Sequence, residues 1–491
     1  MTIDAGDERS GAVALGIDVG STNVKIALIC AGHAVEEIAV LTTPTPPDAD
    51  ELVRAVLDMV TRVLADAPSS PIAVGVASMA ESGVPLDSED RPLLPIVRWD
   101  GADDSGDFDA LIERFGVSEL FDITGVPALP KTPLAIWARM RRRQPEAWSE
   151  MRRWAGVADL VGFALTGALA TDHTLAARTM AYRLPREGID GGFDDELLAA
   201  VGLSTASLPE VRDPGQPVGG VLASVSERTG LVEGLPVFIA GHDHAVGAWA
   251  AGAREPGDVA DSIGTAEALI RVLDTVPASE AIRPTGMTIT RTVTGAPALL
   301  AGASSAGRFA RWWFEQHLRG QDPAAVLHLL DEAAGPTGLT VLPYLTGRQT
   351  PDPDPRVISR VFDEHGDPLD AAGLPVETLV TAMFEGLSLH ARWMLSAQTA
   401  IAGPETAPIR VLGGPGGASR PWMRVKAQVY PTATRLTTVA EPVACGAALL
   451  AAAHAGAFPG DIPELPGTAL NRLPGDPYHE AYERFVRLAT D

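Results

Sequence analysis

The segment AVALGIDVGSTNVKIALIC, residues 12–30, constrains the fold of this chain more than any other. Two apolar runs, Val13 to Ile17 and Val24 to Ile29, are held apart by Asp18, Gly20, Ser21, Thr22 and Asn23. Short runs rich in β-branched residues around a Gly-containing bend predict two buried strands joined by a tight turn. A related pattern returns in DVADSIGTAEALIRVL at 258–273: an apolar strand, a Gly-hydroxyl bend and a second apolar strand. Two bends of one kind, one in each half, suggest duplicated domains facing each other.

The rest of the pattern fits that division. DELVRAVLDMVTRVLAD at 50–66 has the period of an amphipathic helix, with Asp50 as its cap, and PIAVGVAS at 71–78 reads as a short buried strand. Strands alternating with helices favour an α/β layer architecture. Helices dominate between 100 and 170, and a second α/β pattern begins at LPVFIAGHDHAVGAWAAG, 235–252. A chain of 491 residues exceeds what one hydrophobic core serves. The expected domains are 1–248 and 249–491.

Charge and composition exclude several functions. A formal net charge of −25 argues against nucleic acid or an anionic membrane as partner. No apolar run approaches the roughly 20 residues of a membrane helix. The acidic start MTIDAGDERSG lacks the order of a signal peptide. Cys30 and Cys445 give neither a disulfide framework nor a metal spacing, and a reducing cytoplasm fits them. Of 38 basic residues only Lys25, Lys131 and Lys426 are lysines, which reads as a compositional habit.

Three glycine-rich bends could carry chemistry. At the first, Gly20 lets backbone N–H groups point into a concavity suited to phosphate oxygens, Ser21 and Thr22 add hydroxyl donors, and Lys25 adds a point charge. Asp18 would repel a phosphate, so its sensible task is to hold a divalent cation. An ordinary hairpin with a capping aspartate is the other reading. The second bend offers Gly264 and Thr265; the third, VLGGPGGASRPWM at 411–423, offers glycines against which a flat heterocycle could lie. Each could equally be a turn. No GxxxxGK[ST] sequence occurs, which excludes a P-loop enzyme.

Asp243, flanked by His242 and His244 and following an apolar run, is placed to accept a proton from a hydroxyl. A helix-capping aspartate is the alternative. The H-D-H spacing lacks the further ligand pair that zinc sites show, so both histidines read as neighbours of Asp243. No GxSxG elbow supports a hydrolase. Glu81, in SMAESG, and Asp100, in VRWDGADD, could accept hydrogen bonds from vicinal hydroxyls, and Trp99 could face a sugar; a turn glutamate and a core tryptophan are the plain readings.

Taken in order, GIDVGSTNVKIAL, SMAESG, RWDGADD, TGVPALPKTPLAIW, ATDHTLAARTMAY, GHDHAVGAWAAG, DSIGTAEALI, LPYLTGRQTPDPDPR, FEGLSLHARWML and GGPGGASRPWMRVKAQVY resemble the FGGY family of carbohydrate kinases over nearly the whole chain. The resemblance implies an α/β fold of two ribonuclease H-like domains of the actin and Hsp70 type, with a cleft between them. It implies ATP and Mg²⁺ as cofactors, a small sugar or polyol as substrate and a cytoplasmic enzyme, and it leaves room for a homodimer. Asp243 matches the catalytic base, Asp18 the aspartate near magnesium, and Lys25 a basic position near the transferred phosphate. Gly20, Ser21, Thr22, Gly264, Thr265, Gly307, Gly414 and Gly416 match nucleotide contacts. Glu81, Trp99, Asp100 and Asp243 fall where relatives hold the polyol.

Departures bear on the substrate. Ala80-Glu81 is neither the Met-His of xylulose kinases nor the Arg-Glu of glycerol kinases, and GHDH is closer to deoxysugar ketose kinases. Pro415 and Arg420 mark the adenine-side loop. The resemblance favours a ketose such as xylulose, with gluconate, deoxyhexulose, glycerol and erythritol types as alternatives. A nucleotide-binding sugar sensor, or an ATPase that uses water, are the rivals from other classes.

Overall fold

The computed structural model describes residues 11–101, 106, 108–186, 188–318, 320–330, 336–413 and 419–491. Two compact units divide the chain: Met1–Gly252 with Thr290–Ala296 and Val439–Pro466, and Ala253–Ile289 with Pro297–Thr438 and Gly467–Asp491.

In the first unit the opening stretch forms β1 (Ala12–Val19) and β2 (Asn23–Ala31), followed by β3 (Val35–Pro44), α1 (Ala49–Val63) and β4 (Val74–Ser78). Asp48, not Asp50, caps α1, its Oδ1 accepting the N–H groups of Asp50 and Glu51 at 3.0 and 3.1 Å. The helix begins at Ala49, so Asp50 already lies inside the first turn, where its charge suits the helix dipole. Further on come α2 (Pro133–Arg143), α3 (Val157–Thr166), a short strand β5 (Ala170–Asp172), α4 (His173–Ala177), β6 (Gly219–Gly220), β7 (Pro236–His242) and α5 (Asp243–Ala250).

The main sheet runs β6-β7-β4-β1-β2-β3. β1 is antiparallel to β2 and parallel to β4, which is parallel to β7. Register sets the site: Asp18 lies opposite Ala77, and Ala77 opposite Gly241. The carboxyl ends of three parallel strands therefore deliver Asp18, Glu81 and Asp243 to one edge of the sheet. Ligands of open α/β sheets bind at that edge.

In the second unit β8 (Val259–Ile263) and β9 (Glu267–Val272) form the second hairpin, in the sheet with β10 (Thr288–Arg291), β11 (Pro297–Ala303), β12 (Ile409–Leu412), β13 (Thr434–Thr437) and β14 (Gly467–Ala469). The strand order is β10-β11-β9-β8-β12-β13-β14. Helices α6 (Gly307–His317), α7 (Val376–Ala402) and α8 (Arg420–Val429) belong to this unit.

Helix α9 (Pro442–His454) returns to the first unit. It packs on the first sheet so closely that a Cβ on Gly16 would stand 1.9 Å from the Ala444 carbonyl oxygen, and one on Gly75 2.0 Å from that of Ala447. Glycine on the strands and alanine on the helix make this approach sterically allowed. The late sequence segment thus completes the core beneath β1 and β4.

Candidate active site

β7 ends in a bulge between Ile239 and Gly241, and Gly241 has φ +121. A Cβ there would stand 2.5 Å from Thr174 Oγ1, so the bulge needs glycine. Asp172 fixes the neighbouring turn by accepting the N–H groups of Thr174 and Leu175 and the Thr174 hydroxyl, at 2.9, 3.0 and 3.0 Å. Thr174 Oγ1 in turn accepts the His242 N–H at 2.8 Å. This chain of bonds aims the next residue, Asp243.

Asp243 is the first residue of α5 and its side chain is 22% exposed. Its Oδ1 accepts the His244 N–H at 2.7 Å and lies 3.1 Å from His242 Nε2. Burial first, then the charges of His244 and Arg178, push the His242 pKa well below its usual value, so this ring is neutral at pH 7. His242, Asp243 and His244 could offer a metal one atom each, all within 4.8 Å. The contacts already made by Asp243 Oδ1 instead describe an oriented carboxylate with two histidine neighbours.

Asp18 is buried at the end of β1, its Oδ2 3.0 Å from Lys25 Nζ across the hairpin. Lys25 Nζ also stands 3.7 Å from Glu441 Oε2. Asp18 Oδ1 is buried with no protein hydrogen-bond partner. Burial raises the Asp18 pKa, Lys25 opposes it and Asp243 adds to it; the Asp18 carboxylate in turn raises that of Lys25. Glu441 is pushed up by burial and by Asp18 and Glu37, against Lys25. Asp18, Asp243 and Glu441 against Lys25 leave an excess of negative charge. A polyphosphate approaching this corner would meet that negative charge unless a cation came with it, and Asp18 Oδ1 could hold one.

The bend between β1 and β2 is tied by the Gly20 N–H to the Asn23 carbonyl at 3.0 Å, the Thr45 hydroxyl to the Gly20 carbonyl at 2.8 Å and the Thr45 N–H to the Thr22 carbonyl at 3.0 Å. Ser21 is partly exposed and Thr22 exposed on it.

Glu81 follows β4 with φ +66 and a carboxylate only 7% exposed. Arg178, just after α4, bonds Oε1, and Lys131, just before α2, stands 3.6 Å from Oε2. Burial would raise the Glu81 pKa, but Arg178, Lys131 and His242 overcome it and hold it at about 2. Lys131 Nζ also lies 5.2 Å from the Trp99 ring centre, and the Trp99 N–H donates to Ser82 Oγ at 3.2 Å. Both oxygens of Asp100 accept from the Arg98 guanidinium, at 2.9 and 2.8 Å.

In the second unit the Gly264–Thr265 bend is bonded to the start of α6, with the Gly307 N–H on the Gly264 carbonyl and the Ala306 N–H on that of Thr265, each at 3.1 Å. Gly414 and Gly416 lie outside the described residues. The sequence reading singled out neither Arg178 nor Lys131, nor Glu441 beside Lys25. The scarcity of lysine was the available signal: all three lysines sit against carboxylates.

A buried aspartate and a partly exposed lysine at a Gly-hydroxyl bend, beside an oriented carboxylate at the same sheet edge, are compatible with a phosphotransferase that acts on an alcohol. The chain belongs to the FGGY family of carbohydrate kinases, matching its N-terminal domain over residues 13–250 and its C-terminal domain over 259–455. It is therefore a sugar kinase, and the family implies ATP as phosphoryl donor. It is 29% identical over 426 residues to a xylulose kinase of Streptomyces rubiginosus, covering 86% of this chain and 82% of that one. It is 23% identical over 462 residues to a gluconokinase of Bacillus subtilis (strain 168), covering 89% and 86%. The crystal structure of xylulose kinase from Rhodospirillum rubrum superposes with a TM-score of 0.81 at 22% identity, over 97% of each chain. That likeness shows the two-domain FGGY kinase fold. Among the described residues no helix is long and apolar enough to cross a membrane.

Proposed function

We propose that Asp243 is the general base of this kinase and that the acceptor is a small polyhydroxy compound bound between Asp243 and the Glu81 corner. As the acceptor oxygen attacks the γ-phosphorus in line, its proton passes to Asp243 and ADP departs as the leaving group. The single observation that carries this reading is the carboxylate at the end of β7, partly open and fixed by the His244 N–H and the His242 ring. A neutral His242 supports it, since a second cation there would hold Asp243 in an ion pair and weaken it as a base.

Asp18 would hold Mg²⁺ through its unpartnered oxygen, and the ion would supply positive charge against the phosphates. Lys25 orients Asp18 through the 3.0 Å bond and adds its own charge. The bend at Gly20–Thr22 and, in the second unit, the bend at Gly264–Thr265 are assigned to phosphate binding through groups other than the Gly20 and Gly264 N–H, which already bond the Asn23 and Ala266 carbonyls; Gly307, Gly414 and Gly416 are assigned to the nucleotide. Trp99 provides an apolar face for the acceptor's carbon chain. Asp100, whose carboxylate is oriented by Arg98 and is 30% exposed, keeps lone pairs with which to accept from an acceptor hydroxyl.

Domain limits of 1–248 and 249–491, a cytoplasmic location and a homodimer belong to the same proposal. The test of the reaction is ADP release. It is expected only when a polyol or sugar is added, and steady hydrolysis indifferent to every acceptor would contradict the reading.

A further inference from the structure

The turn that aims Asp243 is itself held from behind. His173, the first residue of α4, lies between Asp172 and a segment from far along the chain. Its Nε2 stands 2.8 Å from the Thr292 carbonyl oxygen. A carbonyl only accepts, so Nε2 carries the proton and donates it. The other ring nitrogen, Nδ1, is buried without a hydrogen-bond partner among the described residues and lies 3.7 Å from Asp172 Oδ2. The ring is therefore held through Nε2, and its side chain is only 11% exposed.

Thr292 belongs to the segment Thr290–Ala296, which connects β10 to β11 of the second sheet yet falls within the first unit. The Thr292 N–H donates to the Ala296 carbonyl at 2.9 Å, and the Gly295 N–H to the Thr292 carbonyl at 3.0 Å. Arg291 donates to the Pro185 carbonyl at 2.9 Å and Val293 is buried, so the turn is fastened independently of His173. If His173 is removed, the Thr292 carbonyl keeps its Gly295 bond and no buried acceptor is stranded. The contact thus contributes more to position than to stability. On the other side the packing has no slack: a Cβ on Gly241 would stand 2.5 Å from Thr174 Oγ1 and 3.0 Å from Asp172 Oδ2. A shift of the Asp172–Thr174 turn must move the Gly241 bulge, and Asp243 with it.

We propose that His173 is a positioning residue for Asp243: its bond to the Thr292 carbonyl fixes the Asp172–Thr174 turn, and that turn sets the place of the base. The relay runs from the Thr292 carbonyl through His173 and Asp172 to Thr174 Oγ1, then to the His242 N–H and Asp243. Each step is a hydrogen bond or a bond along the chain. The inference rests on Asp243 being the base, and it makes the β10–β11 connection part of the scaffold of that carboxylate. A misplacement of about 1 Å at such a group can cost about 10²-fold in rate.

The experiment measures ADP release by the full chain with the fastest acceptor among xylulose, gluconate and glycerol. His173→Leu should lower kcat by about 10–100-fold, with KM for ATP within about twofold of wild type and the thermal midpoint nearly unchanged. His173→Gln, whose amide supplies a donor at similar reach, should recover most of the loss. Hydrogen exchange at the His242 amide reads the same relay without any acceptor. It should quicken about tenfold or more in His173→Leu and stay near wild type in His173→Gln. A kcat within about twofold of wild type in His173→Leu overturns the proposal, as do equal losses in the two variants or unchanged exchange at His242. A collapse of the midpoint together with turnover also overturns it, because His173 would then serve the fold at large. Asp243→Asn measured alongside separates the two levels: normal turnover there removes the underlying reading. Slow turnover there with normal turnover in His173→Leu removes this inference alone.

Discussion

The two hairpins that the sequence presents as a pair put the same kind of residue to opposite uses. On β1–β2 the lysine, Lys25, is 22% exposed and leaves one oxygen of buried Asp18 without a partner. On β8–β9 the carboxylates Asp261 and Glu267 meet Lys426, which reaches over from α8, and all three are essentially inaccessible. Tyr430 closes that cluster, its hydroxyl donating to Asp261 at 2.6 Å. Burial, with Asp261, raises Glu267 to about 8 against the pull of Lys426. Each aspartate keeps one buried oxygen without a protein hydrogen-bond partner, Asp18 Oδ1 and Asp261 Oδ1; the clusters differ in their lysine, which is partly exposed in the first and fully enclosed in the second. A polar residue at a bend is therefore informative only with its burial and its partners.

This difference can be broken in several ways. Lys426→Met leaves the buried Asp261 carboxylate without its cation and should cost about 3–5 kcal/mol, seen as a large fall in thermal midpoint. Restoring the midpoint with Asp261→Asn in the same chain would show that charge, not volume, was lost. Asp18→Asn should instead lower kcat by about 100-fold with little change in midpoint, because its work is in the transition state. If Asp18→Asn unfolds the chain while Lys426→Met only slows it, the contrast is inverted.

Two carboxylates of the first unit act as structural controls. Asp159 caps α3 through the Gly156 N–H at 2.8 Å, and its pKa is pushed up to about 7, by burial and then Asp172, against the Thr171 and Gly156 bonds. The folded protein keeps a proton that the unfolded chain releases near pH 3.8, so this group's contribution falls as pH rises from about 4 to 7. Midpoints at pH 5 and pH 8 should differ less in Asp159→Asn than in wild type, by the equivalent of about 2–3 kcal/mol. Asp48→Ala removes the α1 cap and should cost about 1 kcal/mol at any pH above 5, with turnover unchanged.

Much of this was legible in the sequence, for local reasons. The apolar runs of β1, β2, β8 and β9 are central strands buried on both faces, which read as near-continuous hydrophobic segments. Asp18 and Asp243 stand where such runs stop, and so they were visible. What stayed hidden depends on distant pairing. No period or spacing places Arg178 and Lys131 on Glu81, or returns α9 to Gly16 and Gly75. The Asp48 cap was missed because three acids, Asp48, Asp50 and Glu51, stand together and only the helix start distinguishes them. The Arg98 pair on Asp100, two residues away in sequence, was not anticipated by the motif that named Asp100.

The most direct measurement is turnover and nucleotide affinity of Asp243→Asn in the full chain. The account predicts kcat lower by about 10²–10⁴-fold, with ATP binding by calorimetry and the thermal midpoint unchanged. Turnover near that of the wild type would contradict it and would remove Asp243 as the proton acceptor.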